Sequence, residues 1–142
     1  MKQILFITKI ASTKKEGFES RISCIAQEFV KKGYETKVIT SDSNHLASYD
    51  LFETPVLKYD YRGVSFNIVR TLRYKSTISI KRVLSWIDFE IKLFSYRKKL
   101  IESEPDIIII SSLSLLTVVN GLLLKRKFKK TKFIFEVRDI WP

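Results

Sequence analysis

The class of fold follows from residues 1–40, MKQILFITKI ASTKKEGFES RISCIAQEFV KKGYETKVIT. The apolar run at 3–8 does not alternate with polar residues, which is typical of a strand covered on both faces in a parallel sheet. After a polar loop, apolar residues recur at spacings of three and four, which predicts an amphipathic helix. Its expected buried stripe consists of Phe18, Ile22, Ile25, Ala26, Phe29 and Val30. Gly33 occupies the position of a helix C-terminal glycine, and residues 36–40 are the next predicted strand, so the segment predicts one right-handed βαβ unit.

The rest of the chain continues this alternation of strands and helices. Further strands are predicted at residues 55–59, 64–69, 107–110 and 132–137, and helices at residues 78–102 and 113–127. The expected buried stripe of the first of these helices is Val83, Ile87, Ile91 and Phe94, widened by Leu84, Trp86, Leu93, Leu100 and Ile101. The pattern predicts an α/β domain with a mostly parallel sheet and helices on both faces.

Composition indicates one globular domain without an internal boundary. The chain has 142 residues, of which 45% are hydrophobic and 29% charged, an ordinary balance for a folded protein. Its net charge of +11 implies attraction to nucleic acid, an acidic membrane surface or a phosphorylated ligand. The single cysteine, Cys24, excludes an intrachain disulfide and fits a reduced, cytoplasmic setting. No apolar run is long enough for a signal peptide or a membrane span, so we expect neither.

Two loops are the first candidates for ligand contact, because ligands of parallel sheets bind beyond the carboxyl ends of the strands. The first loop contains Gly17 at the expected start of the helix, where free N–H groups bind an anion or the glycine only permits a tight turn. Arg21, placed one turn into that helix, is a second candidate. Neither a dinucleotide-binding glycine pattern nor a Walker A pattern is present.

The second loop begins with Arg138 and Asp139, directly after the last strand. A cation and an anion in this position suit ligand contact or proton handling, and they also suit a structural ion pair. Glu136 lies on the same side of the strand and is placed to orient Arg138. No cluster of His and Cys has metal-ligand spacing, so we predict no metal site.

Basic residues near aromatic residues predict a surface for an anionic membrane, where each Lys or Arg contributes about 1 kcal/mol. The predicted membrane-surface patch consists of Arg73, Lys75, Lys81, Arg82, Lys125, Arg126 and Lys127. For the last three residues, a solvated helix end is the alternative. No nucleic-acid-binding module is recognisable, so specific binding of nucleic acid is not expected.

The last ten residues, FIFEVRDIWP at 133–142, resemble a segment of the family 4 glycosyltransferases. The likeness is closest to the bacterial capsule and O-antigen branch that includes the N-acetylfucosaminyl transferases. Gly17, Arg21 and the tetrapeptide at 33–36 occupy the places of family motifs near the start, and the resemblance extends over essentially all 142 residues. The first glycine of the family's Gly-Gly pair is Glu16 here, and an acidic side chain at that point repels a phosphate.

The resemblance implies a Rossmann-like domain that is the amino-terminal, acceptor-side half of a two-domain GT-B enzyme. The whole enzyme would transfer a sugar from a nucleotide sugar to a lipid-linked acceptor, with retention of configuration and without a metal. The cleft would be lined by Gly17, Arg21, Arg138 and Asp139, with Arg138 stabilising phosphate or acceptor hydroxyls and Asp139 orienting the acceptor or a neighbouring loop.

The donor nucleotide sugar would bind a carboxyl-terminal partner domain that this chain lacks, so we expect no cofactor in this chain and no activity of it alone. Its expected place is the inner face of the plasma membrane, as a peripheral protein. The alternative interpretation is a stand-alone α/β binding or regulatory domain for an anionic ligand or nucleic acid. Without a partner domain, apolar residues such as Trp141 would lie uncovered.

Overall fold

The computed structural model describes residues 1–45, 47–74, 79–112 and 116–137, with only the backbone of Ser112. These ranges contain six strands and three helices. In chain order they are β1 (Gln3–Thr8), α1 (Arg21–Lys31), β2 (Glu35–Ser41), β3 (Val56–Tyr61), β4 (Val64–Val69), α2 (Ile80–Leu100), β5 (Ile107–Ser112), α3 (Leu116–Lys127) and β6 (Lys132–Val137).

The strands form one sheet in the order β3-β4-β2-β1-β5-β6. Every neighbouring pair is parallel except β3 and β4, which form an antiparallel hairpin at one edge. The hairpin turn consists of Arg62 and Gly63 alone, both with positive φ (50° and 80°), as a tight hairpin turn requires. The mostly parallel Rossmann-like α/β fold expected from the sequence is confirmed.

Helices cover both faces of the sheet, as predicted. On one face Ile22 and Ala26 of α1 pack over Ile4 and Phe6 of β1. On the other face α2 and α3 pack over Leu5 and Ile7 of β1 and over Ile108 and Ile110 of β5. Because successive residues of β1 point to opposite faces and both faces are covered, the strand is apolar from Ile4 to Ile7.

Helix α1 begins later than its apolar spacing suggests. Ser20 is the N-cap residue, and its hydroxyl accepts a hydrogen bond from the Ser23 backbone N–H. Phe18 therefore lies in the preceding loop and is 64% exposed, so its predicted place in the buried stripe is wrong. Gly33 ends the helix as predicted: its φ is +83°, and its N–H donates to the Val30 carbonyl at 2.9 Å.

The centre of the buried stripe predicted for α2 is wrong, although Leu93, Leu100 and Ile101, which were expected to widen it, are buried. Val83, Ile87, Ile91 and Phe94 are 38–59% exposed, and so is Leu84 at 46%. The buried side chains are those of Ser85, Phe89, Glu90, Leu93 and Leu100. The helix carries apolar residues on opposite sides, so spacing alone does not reveal which side meets the sheet. Within the described ranges, no helix is both long enough and apolar enough to cross a bilayer.

Candidate functional site

The carboxyl ends of the parallel strands meet along one edge of the sheet, and polar side chains collect there. Strand β1 lies between β2 and β5, so the chain order reverses at β1, the position where open α/β sheets bind ligands. Lys9 comes directly after β1, and Asp42 comes directly after β2. These two residues were not singled out from the sequence, although each is among the first polar side chains beyond a buried strand.

Lys9 is a buried cation at this reversal point, with only 8% of its surface exposed. Its Nζ donates a hydrogen bond to the Ser43 carbonyl at 2.7 Å and lies 5.5 Å from the centre of the Tyr74 ring. Burial lowers the pKa of Lys9 to about 8 because the charged form loses water. The Asp42 carboxylate opposes this shift, and the Arg82 guanidinium adds to it.

The Asp42 carboxylate joins the loops that follow β2 and β4. It accepts hydrogen bonds from the Thr71 backbone N–H at 2.7 Å, the Thr71 hydroxyl at 3.0 Å and Nε of Arg73 at 3.1 Å. Its side chain is 1% exposed, and three donors compensate for the loss of water. A cavity of about 420 Å³ opens beside this carboxylate. It is lined by Asp42, Leu51, Phe52, Glu53, Arg70, Thr71 and Arg73.

A second buried carboxylate, that of Glu90, connects α2 to α3. It accepts hydrogen bonds from the Thr117 hydroxyl at 2.5 Å and the Asn120 side-chain amide at 2.6 Å. Burial raises the pKa of Glu90, while these hydrogen bonds and the charge of Lys9 lower it. Glu90 lies beside Phe89 and Leu93 on the buried side of α2, and no pattern in the sequence indicates its partners.

Gly17 lies in the loop after β1, four residues before α1 begins, so its predicted position at the helix start is wrong. Its φ of 133° is accessible mainly to glycine, and it forms an isolated antiparallel bridge with Ala47. The neighbouring Glu16 carboxylate accepts the Thr13 backbone N–H at 3.0 Å. The Thr13 N–H therefore already donates its hydrogen bond to a carboxylate of the chain itself, and it is not free to bind a ligand anion.

Arg21 is the first residue of α1, not one turn into it as predicted. Its Nη2 pairs with Oε1 of Glu136 near the end of β6, and about half of the Arg21 side chain is exposed. The ion pair brings the start of α1 and the end of β6 to the same place. Arg138 and Asp139 lie outside the described residues, so their proposed roles and the orienting role of Glu136 stay predictions.

The predicted basic patch is divided into two groups within the described part of the chain. Arg73, Lys81 and Arg82 lie around the start of α2, on the side of the carboxyl edge. There Arg73 pairs with Asp42, and the Arg82 guanidinium lies 5.0 Å from the centre of the Trp86 ring. The second group, Lys125 to Lys127, is exposed at the end of α3, just before β6 enters the opposite edge. Lys75 lies outside the described residues.

Among residues 1–45, 47–74, 79–112 and 116–137, no three His, Cys, Asp or Glu side chains are grouped so that they would hold a metal ion. Cys24 is exposed on α1. Compared with the sequence profiles of known protein families and with curated proteins, the chain matches none.

Proposed function

We propose that this chain is the acceptor-side half of a retaining GT-B glycosyltransferase that elongates a lipid-linked precursor of a surface polysaccharide. The proposal starts from the resemblance of residues 133–142 to family 4 glycosyltransferases. Its main structural support is the ion pair between Arg21 and Glu136. This pair joins the start of α1, which directly follows the loop after β1, to the end of β6. The resemblance places these two segments around one acceptor cleft.

The carboxyl edge offers chemistry suited to a hydroxyl-rich, anionic acceptor. The cavity beside Asp42 has carboxylate, guanidinium and hydroxyl groups in its wall, which are the groups that hydrogen-bond sugar hydroxyls. Arg21 is half exposed, so its guanidinium is accessible to a diphosphate, to which Arg forms strong charge-assisted hydrogen bonds. Arg138 would add a second cation, and Asp139 would orient the acceptor.

The donor side of the reaction would come from elsewhere. A nucleotide-sugar-binding domain, which is not among the described residues, would deliver the donor to this edge. The acceptor is attached to a lipid, which places the chain at the inner face of the plasma membrane. Its exposed cations, among them Lys81 and Lys125 to Lys127, would contact anionic lipid there.

Calorimetry with farnesyl diphosphate, a short polyprenyl diphosphate, tests the acceptor side directly. We expect Arg21→Gln to weaken binding about tenfold, since a charge-assisted hydrogen bond to phosphate is lost. The stability of this variant should fall by less than about 1 kcal/mol, because the ion pair is partly exposed. Lys31→Gln, which removes an exposed cation and its ion pair with Glu28 at the other end of α1, is the matched control and should leave binding unchanged.

A transfer assay tests the complete reaction. The chain is mixed with a separately expressed donor-binding domain, a labelled nucleotide sugar and membrane lipid-linked acceptors, and label should enter the lipid fraction. The proposal fails if the chain neither binds farnesyl diphosphate nor supports transfer. Strongly salt-dependent binding of any DNA duplex, with no affinity for polyprenyl diphosphate, would instead favour the stand-alone domain for an anionic ligand or nucleic acid.

A further inference from the structure

The outward side of α2 is apolar along most of its length. Its exposed apolar residues are Ile80 at 79%, Val83 at 50%, Leu84 at 46%, Ile87 at 38%, Ile91 at 59% and Phe94 at 44%. With about 3.6 residues per turn, all six side chains project within an arc of about 100°. This arc, which we call the outer stripe, lies opposite Phe89 and Leu93, which are in the core.

Helix α3 extends this apolar surface. It lies beside α2 on the same face of the sheet, and Asn120 of α3 donates to the Glu90 backbone carbonyl at 3.1 Å. Its exposed apolar residues are Leu116 at 44%, Val119 at 55%, Leu122 at 56% and Leu123 at 37%. A groove of about 290 Å³ lies between the two helices and has Arg97 and Lys127 in its wall. A surface of this kind, apolar and bordered by charge, marks an interaction site.

The charges on these helices are almost all positive. Helix α2 has six basic residues and α3 has three, against two acidic residues, Asp88 and Glu90. Neither acid is available to a partner, because Asp88 pairs with Lys92 at 2.8 Å and Glu90 is buried. The exposed cations lie at the helix ends, with Lys81 at the start of α2 and Lys98, Lys99 and Lys125 to Lys127 at the other end. The apolar surface is therefore bordered by cations at both ends.

We propose that the outer face of α2 and α3 lies flat on an anionic bilayer, with the outer stripe inserted among the lipid chains and the terminal cations on lipid phosphates. An apolar stripe bordered by Lys and Arg is the pattern of helices that lie in the plane of a membrane interface. A second copy of this chain would bring the same excess of positive charge to the contact, which disfavours self-association through this face.

This geometry deepens the membrane side of the proposed function, but it does not depend on sugar transfer. Because α2 and α3 pack along the strands, the bilayer plane would lie alongside the sheet. The carboxyl edge, with Lys9 and the cavity beside Asp42, would then open near the level of the lipid headgroups. A lipid-linked sugar would reach that edge without leaving the membrane.

Flotation with vesicles of phosphatidylcholine and phosphatidylglycerol in equal parts tests the proposal. The double variant Ile87→Ser/Ile91→Ser keeps every charge and changes only exposed positions. We expect its partition coefficient to fall at least about tenfold, because each isoleucine no longer buries apolar surface in lipid. The matched control is Phe18→Ser/Leu51→Ser, which removes two exposed apolar residues outside both helices and should bind like the wild type. Circular dichroism verifies that both variants are folded.

A depth measurement separates insertion from electrostatic attachment. One protein carries an environment-sensitive fluorophore on Ile91→Cys in a Cys24→Ser background, and the other carries it on native Cys24, which is exposed on the opposite face. With brominated lipid chains in the vesicles, we expect quenching of the label at position 91 and none at Cys24.

The proposal is wrong if the double serine variant binds vesicles like the wild type, or if the two labels are quenched equally. It is also wrong if the lipid-free protein is a dimer that the double serine variant dissociates. The vesicles contain neither donor nor acceptor, so failure of sugar transfer with this result intact would reject the glycosyltransferase proposal alone.

Discussion

The buried ammonium of Lys9 predicts an unusual dependence of stability on pH. Its pKa falls from 10.5 to about 8 on folding, because the side chain leaves water at the end of β1. The unfolded chain therefore binds more protons at this site between these two pH values, and the free energy of unfolding should rise with pH across that window. Below pH 8 the cost of burying the charge is fully present, and above pH 10.5 it is gone.

The magnitude follows from the size of the shift. Each pKa unit corresponds to about 1.4 kcal/mol, so the shift corresponds to about 3 kcal/mol between the two limits. Lys9→Met keeps a similar length of side chain and removes the titrating group. The difference in free energy of unfolding between Lys9→Met and the wild type should therefore change by about 3 kcal/mol in favour of the wild type as the pH rises.

Urea unfolding followed by circular dichroism, repeated from below pH 8 to above pH 10.5, measures this difference. Other titrating groups are common to both proteins and cancel in the difference. The lost hydrogen bond to the Ser43 carbonyl adds a constant offset, which does not affect the change with pH. Lys125→Met is the control, and its curve should run parallel to that of the wild type because this ammonium is exposed in the folded chain. Parallel curves for Lys9→Met as well would refute the assignment of Lys9 as a buried charge.

Three further predictions concern the packing of the fold, and urea denaturation measures each of them. Phe89→Ala should cost about 3–5 kcal/mol and Phe94→Ala less than about 1 kcal/mol, since only Phe89 is in the core, and equal costs would contradict the packing of α2. Gly63→Ala should cost more than Gly33→Ala: both have positive φ, but only at Gly63 would the new Cβ lie 2.8 Å from a methyl carbon of α1. Asp42→Ala should cost about 3 kcal/mol because it leaves buried donors unpaired, and a cost near zero would show that this carboxylate does not hold the two loops together.

Helix ends and strands were predictable from the sequence where the residues next to them allow only one interpretation. Gly33 after two lysines ends α1 as expected, and the β-branched run at 107–110 belongs to an inner strand of the parallel sheet. The first loop was identified as a ligand-binding candidate, and Lys9 is its first residue. The burial of Lys9 was not foreseen, because it depends on Ser43, Tyr74 and α2, which come from three distant parts of the chain.

The errors have a common physical cause. Spacing places Phe18 on the same stripe as Ile22, but the hydroxyl of Ser20 caps the helix and leaves Phe18 outside it. Spacing also finds an apolar stripe through Ile87 and Ile91, and such a stripe exists, but it faces outward. A periodic pattern shows that a helix has an apolar side and does not show what that side contacts.

The sequence by itself determined that strands and helices alternate, that the sheet is mostly parallel and that the chain carries a large excess of positive charge, because these properties depend on neighbours along the chain. Only the tertiary structure decided which side of α2 is buried, that Arg21 meets Glu136 and that Lys9 loses contact with water. These outcomes depend on which distant surfaces compete for the same apolar or charged side chain, and that competition is resolved only when the sheet and its helices pack together.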